Sequence, residues 1–276
     1  MDKPIWFITG ISSGLGQSLA RAAMEKGYFV IGTFRKAGQV GSFNETHQGL
    51  GMGVLLDIND AAAMKKVVAD TVAQYGRIDV LVNNAGLGFV GAIEESSGEE
   101  VRQVFETNFF ATLALTQEVL PIMRSQRSGH IVQISSHGGV KAFAGFGIYN
   151  ASKFALEGFS EALAQEVAPL GIGLTIVEPG PFRTGFAGGN LGLASGTLED
   201  YGPTAGAFKT KLQGVHGKQE GDPDKAALAI IDHLDKDNGS LRLPLGKVPM
   251  VTIQAKIDSL QTDLKANREV AEGAVF

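Results

Sequence analysis

A tyrosine and a lysine four residues apart, Tyr149 and Lys153 in the run Tyr149-Asn150-Ala151-Ser152-Lys153, follow Ser136 by thirteen residues. On a helix, positions i and i+4 share a face, so the ammonium reaches the surroundings of the phenol. A free tyrosine has a pKa of about 10 and is a poor acid or base at neutral pH. A neighbouring positive charge favours the phenolate and lowers that value towards the range where proton transfer is efficient. A serine hydroxyl beside them can hold a carbonyl oxygen while the phenol gives it a proton. Such a set reduces a carbonyl if a hydride donor lies next to it. Taken alone, Tyr-x-x-x-Lys also describes an ordinary helix-surface pair, and Ser135 is a second candidate serine.

The context comes from the N-terminus. The apolar run Ile5-Trp6-Phe7-Ile8 ends in Thr9-Gly10-Ile11-Ser12-Ser13-Gly14-Leu15-Gly16, and a helical pattern continues through Leu19, Ala20, Ala23 and Met24 to Gly27. Glycines let the backbone turn sharply and approach a ligand closely. A helix beginning at such a turn offers free N–H groups and the positive end of its dipole to a pyrophosphate. The spacing is Gly-x-x-x-Gly-x-Gly, which differs from the Gly-x-Gly-x-x-Gly dinucleotide fingerprint.

Strand-like and helix-like patterns alternate along the first 180 residues, the arrangement of a parallel sheet covered by helices on both faces. Strands buried on both faces read as unbroken apolar runs. Those runs are Ile5–Thr9, Phe29–Thr33, Gly53–Leu56, Val80–Val82, His130–Ser135 and Gly173–Glu178. Residues Asn59–Tyr75 are helical, with Met64, Val67, Val68 and Val72 on one stripe and Gly76 as the stop. A capping-box pattern at Ser97-Gly98-Glu99-Glu100 opens a long helix over Ser97–Arg124, expected to bend near Pro121. Another helix covers Tyr149–Ala168. Residues 185–222 break the pattern with Gly, Ser, Thr and scattered apolar side chains, among them Phe186, Leu191, Phe208 and Tyr201. Asp222-Pro223-Asp224 begins a helix, with Asp as N-cap and Pro at the first helical position. A short edge strand over Leu241–Leu243 and a terminal helix over 250–268 complete the reading. There is no internal repeat, and the whole chain of 276 residues reads as one domain, with 244–276 as a C-terminal extension.

Composition sets bounds. With 24 basic and 29 acidic residues the net charge is −5, and no Lys/Arg block of nucleic-acid type occurs. The absence of cysteine excludes disulfides, thiolate zinc sites and thiol nucleophiles. The five histidines (47, 130, 137, 216 and 233) lack ligand spacing, so no protein-built metal site is expected. A core strand follows Met1 almost directly, and no apolar stretch approaches the roughly 20 residues needed to cross a bilayer. The expectation is a soluble cytoplasmic protein without a membrane partner.

Thr9-Gly10-x-x-x-Gly14-x-Gly16, Asn83-Asn84-Ala85-Gly86 and Tyr149-x-x-x-Lys153 stand in this order. In that combination the chain resembles the compact short-chain dehydrogenases/reductases, closely over residues 4 to 184 and only in general layout beyond. The resemblance implies a Rossmann-type doubly wound parallel sheet of about seven strands. It assigns the catalytic roles to Ser136, Tyr149 and Lys153, with Asn108 completing a proton relay. The spacing between Ser136 and Tyr149 favours Ser136 over Ser135. It places the cofactor on Gly10, Ser12, Ser13, Gly14, Leu15 and Gly16, then on Asp57 and Ile58 after the third strand. Asn83, Ala85 and Gly86 follow after the fourth strand, then Tyr149 and Lys153, and last Pro179, Gly180, Phe182 and Thr184 after the sixth. Asp57 suits equally well an N-cap of the following helix. Residues 185–222 correspond to the segment that closes over substrate. The long helices at 97–124 and 149–168 are those through which relatives form homodimers and homotetramers.

The end of the second strand bears on the nicotinamide. NAD users place an acid there against the ribose hydroxyls, whereas an arginine accommodates the 2′-phosphate of NADP. Here the strand runs into Thr33-Phe34-Arg35-Lys36 with no acid in reach, which favours NADP(H) held by Arg35 and leaves NAD(H) as the second choice. The expected function is reduction of a ketone or aldehyde, reversibly, with Tyr149 as acid/base. The alternatives are an NAD-dependent alcohol or hydroxysteroid-type dehydrogenase and a non-catalytic NADP(H) sensor. The stretch Tyr149–Gly158 is similar to that of hydroxysteroid and retinol dehydrogenases. Phe89, Val90, His137, Phe143, Phe146 and Phe186 would line an apolar, aromatic site suited to a hydrophobic or ring-bearing carbonyl or alcohol.

Overall fold

The computed structural model describes residues 3–187, 191–236 and 239–275. Its strands are β1 (Ile5–Ile8), β2 (Phe29–Phe34), β3 (Gly51–Leu55), β4 (Val80–Asn83), β5 (Gly88–Val90), β6 (Gly129–Ile134), β7 (Ile172–Pro179), β8 (Leu191–Leu193) and β9 (Arg242–Leu245). The helices are α1 (Gly14–Glu25), α2 (Ala37–Thr46), α3 (Ala61–Tyr75), α4 (Gly98–Phe105), α5 (Ala111–Gln126), α6 (Gly147–Val167), α7 (Ala207–Gly214), α8 (Pro223–Lys236), α9 (Lys247–Ala266) and α10 (Arg268–Glu272). Seven strands form one parallel sheet in the order β3-β2-β1-β4-β6-β7-β9. β5 and β8 pair separately, also in parallel.

The two-residue period of β1 shows how one strand serves two cores. Ile5 and Phe7 enter the layer built with Met64 and Val68 of α3, Leu115 and Val119 of α5 and Leu163 of α6. Trp6 and Ile8 enter the opposite layer, with Leu19 and Ala23 of α1 and Ala226 and Ile230 of α8. The fold is therefore the parallel sheet covered on both faces that the unbroken apolar runs predict, in the Rossmann-like form that the family resemblance implies. Its strand order reverses between β1 and β4, where open α/β sheets bind ligands beyond the carboxyl ends of the strands.

Several boundaries differ from expectation for local reasons. β3 begins at Gly51 rather than Gly53. α3 begins at Ala61, because Asp60 is its N-cap and its carboxylate accepts from the Ala63 N–H at 2.9 Å. Asp57 instead accepts from the Asn59 N–H, so the N-cap alternative for Asp57 is not realised. The helix expected over 97–124 opens with the anticipated capping box between Ser97 and Glu100, but a π-helical turn at Glu106–Phe110 separates α4 from α5. Pro121 lies inside α5. Asp222 caps α8 as expected, its carboxylate accepting from the N–H groups of Asp224 and Lys225. Helix α2 and the β5–β8 pair were not anticipated: α2 buries no residue fully, and β5 and β8 are short and contain glycine. Among the described residues no helix is long and apolar enough to cross a membrane.

Candidate active site

The glycine turn after β1 is fixed from both sides. Thr9 Oγ1 accepts from the N–H groups of Asn84 and Ala85, each at 2.9 Å, which ties β1 to the end of β4. The Asn84 amide then donates to the carbonyls of Thr9 and Gly10. Gly14 has φ +61°, a region that costs glycine nothing. At Gly16 a Cβ would stand 2.3 Å from Asn84 Nδ2 and 2.5 Å from the Gly10 oxygen, so only glycine lets α1 begin this close to the sheet. Ser13, the N-cap of α1, makes no side-chain cap, and the first turn carries no acid. Ser12 and Ser13 are exposed. The helix therefore presents free N–H groups and its positive end in an open turn, a cradle for a phosphate-bearing group.

The other residues assigned from sequence lie around this turn to differing extents. Thr33 at the end of β2 accepts from the Gly10 N–H at 3.0 Å, and exposed Arg35 follows two residues later. Asp57 is exposed beyond β3, and Ile58 is buried beneath it. Ala85 packs against Gly10, and Thr184 against Gly14, so the segment after β7 does reach the start of α1. Gly180 is packed against Pro249 at the start of α9, and Phe182 against Gly221. Asn83 can meet a ligand only through its backbone, because its amide is buried and donates to Thr116 Oγ1 and Gln133 Oε1. Leu15 is half-buried against the core rather than presented at the turn.

Ser136, Tyr149, Lys153 and Asn108 come together beyond β6 and β4. Ser136 accepts from the Gly138 N–H at 3.0 Å. A Cβ at Gly138 would lie 3.2 Å from Ser136 Oγ and 3.6 Å from Tyr149 Cε1, so the serine and tyrosine meet over this glycine. Lys153 donates from Nζ to the Ile134 carbonyl at 2.8 Å. A Cβ at Gly86 would lie 3.2 Å from Asn108 Oδ1 and 3.7 Å from Lys153 Nζ, so Gly86 leaves the space between them. Asn108 sits in the π-helical turn, and its amide exchanges bonds with both backbone groups of Leu87 and donates to Ser152 Oγ. Such turns are often found where a helix must place a functional side chain.

Burial sets the protonation states. The Tyr149 phenol is pushed up to about 12 by desolvation, with the Ser136 hydroxyl opposing that shift. Lys153 is pushed down to about 8 by desolvation, and the nearby Glu157 carboxylate opposes that shift. The expected lowering of the phenol by Lys153 is thus absent in this state: the ammonium faces Ile134, and burial dominates. A phenol that keeps its proton at neutral pH is a donor, the role that carbonyl reduction requires. His137, next to Ser136, is held down to about 4 by burial and bonds through Nδ1 to Thr252 Oγ1 of α9.

An apolar roof covers the tyrosine. Its ring stacks on Phe146 with centroids 4.2 Å apart and meets Phe186 edge-on at 5.6 Å. Val90, Phe143, Leu191, Phe208 and Leu212 join this cluster, and Phe89 is buried in the adjoining strand β5. The segment after Phe186 is stitched down by main-chain bonds, Ser195 and Leu198 donating to the carboxylates of Glu100 and Glu95. Positions 188–190 of this segment lie outside the described residues.

Three supporting features were missed in the sequence. Asn150 holds the serine turn, donating to the Gly138 carbonyl and accepting from the Phe143 N–H. Asn84 builds the glycine turn. Glu157, Glu161 and Glu178 converge on Arg242 at 2.9, 2.7 and 2.8 Å. Glu178 is fully buried and pushed up to about 7 by desolvation and by Glu157. An acid inside a strand buried on both faces was the available signal, because it demands a cation nearby.

A glycine cradle at the switch point of a parallel sheet, beside a Ser-Tyr-Lys set, defines a nucleotide-binding α/β protein of the dehydrogenase type. Comparison with known proteins makes this specific. Residues 4–190 match the short chain dehydrogenase family. A 3-ketodihydrosphingosine reductase from Bacteroides thetaiotaomicron is 38% identical over 256 residues, 92% of this chain and 91% of that one. Oxidoreductase BOA17 from Botryotinia fuckeliana is 38% identical over 243 residues, 88% of each chain. A crystal structure of a short-chain dehydrogenase from Streptomyces avermitilis superposes with a TM-score of 0.92 at 41% identity, covering 99% of this chain and all of that one. The chain belongs to the short-chain dehydrogenase family of oxidoreductases.

Proposed function

We propose that the protein is an NADP(H)-dependent reductase of a hydrophobic ketone or aldehyde, working reversibly on the corresponding alcohol. The observation that carries this reading is the meeting of Ser136 and Tyr149 over Gly138, with Lys153 and Asn108 across Gly86, next to the uncapped start of α1. The residues present fit a dinucleotide: a Cβ would fill the space at Gly16 and Gly86, and the α1 N–H groups suit a pyrophosphate. Gly10 to Gly16 would hold the pyrophosphate, Asp57 and Ile58 the adenine end, Lys153 the ribose hydroxyls, and Thr184 the carboxamide side. When bound, the reduced nicotinamide supplies a hydride.

The chain's own groups do the rest. Ser136 orients the carbonyl oxygen, and Tyr149 protonates it as negative charge develops. Lys153 stabilises the phenolate left behind, and Asn108 anchors the route by which a proton returns. The roof of Phe146, Phe186, Phe143 and Phe208 excludes water and favours an apolar substrate. That the relative from Bacteroides is a 3-ketodihydrosphingosine reductase agrees with reduction of a keto compound. Arg35, exposed at the end of β2 with no acid from Thr33 to Lys36, supports NADP(H) over NAD(H). A single domain with 185–222 as its lid is part of the same reading.

The test is a titration with NADPH and NADH, followed by a panel of ketones and aldehydes at the absorbance of the reduced nicotinamide. NADPH binding tighter than NADH, with oxidation by apolar carbonyls, is expected. Equal binding would overturn the cofactor preference, and binding of neither would overturn the whole reading.

A further inference from the structure

Helix α9 carries an apolar face that its own chain does not cover. Met250, Ile253, Ile257, Leu260 and Leu264 recur at intervals of three and four, the seam of a heptad repeat. Only the base of the helix is seated: Pro249 is its one buried residue, packed on Gly180, and Thr252 bonds His137. From Ile257 to Val275 every residue is exposed. Met250, Ile257, Leu260 and Leu264 are exposed to 63, 41, 47 and 72%. In proteins most of a helix's stability comes from packing its apolar face, and here, among the described residues, that face has no partner in its own chain.

We propose that α9 is a self-association surface on which the same helix of a second copy of this chain packs antiparallel, seam to seam. The charges flanking the seam select this occupant and orientation. With Met250, Ile257 and Leu264 at the a positions and Ile253 and Leu260 at d, both Lys256 and Asp263 fall at g. In an antiparallel pair g faces g, so each copy's Lys256 meets the other's Asp263, twice by symmetry. Among the described residues neither side chain has an ion pair in its own chain. Gln254 and Gln261, at the e positions, face one another on the other flank as uncharged amides. A parallel pair would instead set Lys256 against Gln261, and Asp263 against an Arg268 already paired with Glu272. A lipid surface fits less well, because Lys247, Lys256 and Lys265 stand against Asp258 and Asp263 in α9, a net charge of only +1 and far from the basic excess of membrane-binding helices.

The experiment is sedimentation equilibrium on the full-length protein, with the circular dichroism spectrum as a check on folding. Leu260, Asp263 and Leu264 are exposed and Lys256 is half-buried on the surface of α9, outside the core clusters, so the variants keep their fold. Leu260→Asp with Leu264→Asp is expected to halve the mass, and Lys256→Asp alone to weaken association about tenfold. Lys256→Asp combined with Asp263→Lys is expected to restore association. An unchanged mass in the leucine variant, a wild type of single-chain mass, or a charge swap that fails to restore association would overturn the proposal. Flotation of a single-chain protein with phosphatidylcholine–phosphatidylglycerol vesicles would overturn it in favour of a lipid surface.

Discussion

Replacing Lys153 with Met should stabilise the fold at neutral pH while abolishing turnover. The ammonium is buried and its pKa falls from 10.5 to about 8, because desolvation outweighs the help from Glu157. At about 1.4 kcal/mol per pH step, that difference makes the charge cost the fold on the order of 3 kcal/mol below pH 8. Methionine removes the charge at nearly the same length but leaves the Ile134 carbonyl without its donor, a loss of about 1 kcal/mol. The net gain is about 2 kcal/mol, or on the order of 5 °C in a chain of this size.

The sign of the pH dependence is the sharper test. Between pH 8 and 10.5 the unfolded chain binds a proton at this lysine that the folded chain has lost, so wild-type stability rises with pH. Lys153→Met lacks this rise, and its advantage should vanish near pH 10. Tyr149, whose phenol is raised from 10.0 to about 12 on folding, contributes to both proteins alike near pH 10 and cancels in their difference. Thermal melts of both proteins from pH 7 to 10, without added nucleotide, give the difference directly. Parallel curves would refute the reasoning, because they would mean that the buried lysine carries no charge penalty.

Two further substitutions probe different parts of the account. Arg35→Ser should raise the Kd for NADPH about tenfold or more and that for NADH less than about twofold, measured by titration of each nucleotide. Equal effects would show that Arg35 does not meet the 2′-phosphate. Arg242→Met should cost about 3 kcal/mol, because it leaves Glu178 and Glu157 buried without their cation. Glu178 already titrates near 7, above its unfolded value, so stability is lost as pH rises through that range. The Arg242→Met penalty should therefore be larger at pH 8 than at pH 6 in thermal melts.

The sheet was legible because strands such as Ile5–Ile8 and Phe29–Phe34 are buried on both faces and leave unbroken apolar runs. Ser136, Tyr149 and Lys153 were legible from their types and spacing, and Asn108 only from the family resemblance; the structure brings the four together around Gly138 and Gly86. What escaped depended on partners distant in the chain. That the Asn83 amide is drawn into the core by Thr116 and Gln133, 33 and 50 residues away, leaving only its backbone for a ligand, could not be read from the local sequence. Arg242 joins Glu157 across 85 residues, a pairing that no local pattern announces. The π-helical turn at Glu106–Phe110 has no propensity signal, because the pull on Asn108 comes from Leu87 and Ser152. The depressed Lys153 and raised Tyr149 depend on how completely the surrounding elements close, which only the packed structure reveals.

The central claim is that Tyr149 supplies the proton in carbonyl reduction, and the most direct measurement is single-turnover oxidation of bound NADPH by the best carbonyl substrate in wild type and Tyr149→Phe. The account predicts that the variant still binds NADPH but turns over about 10²- to 10⁴-fold more slowly. An undiminished rate would contradict it.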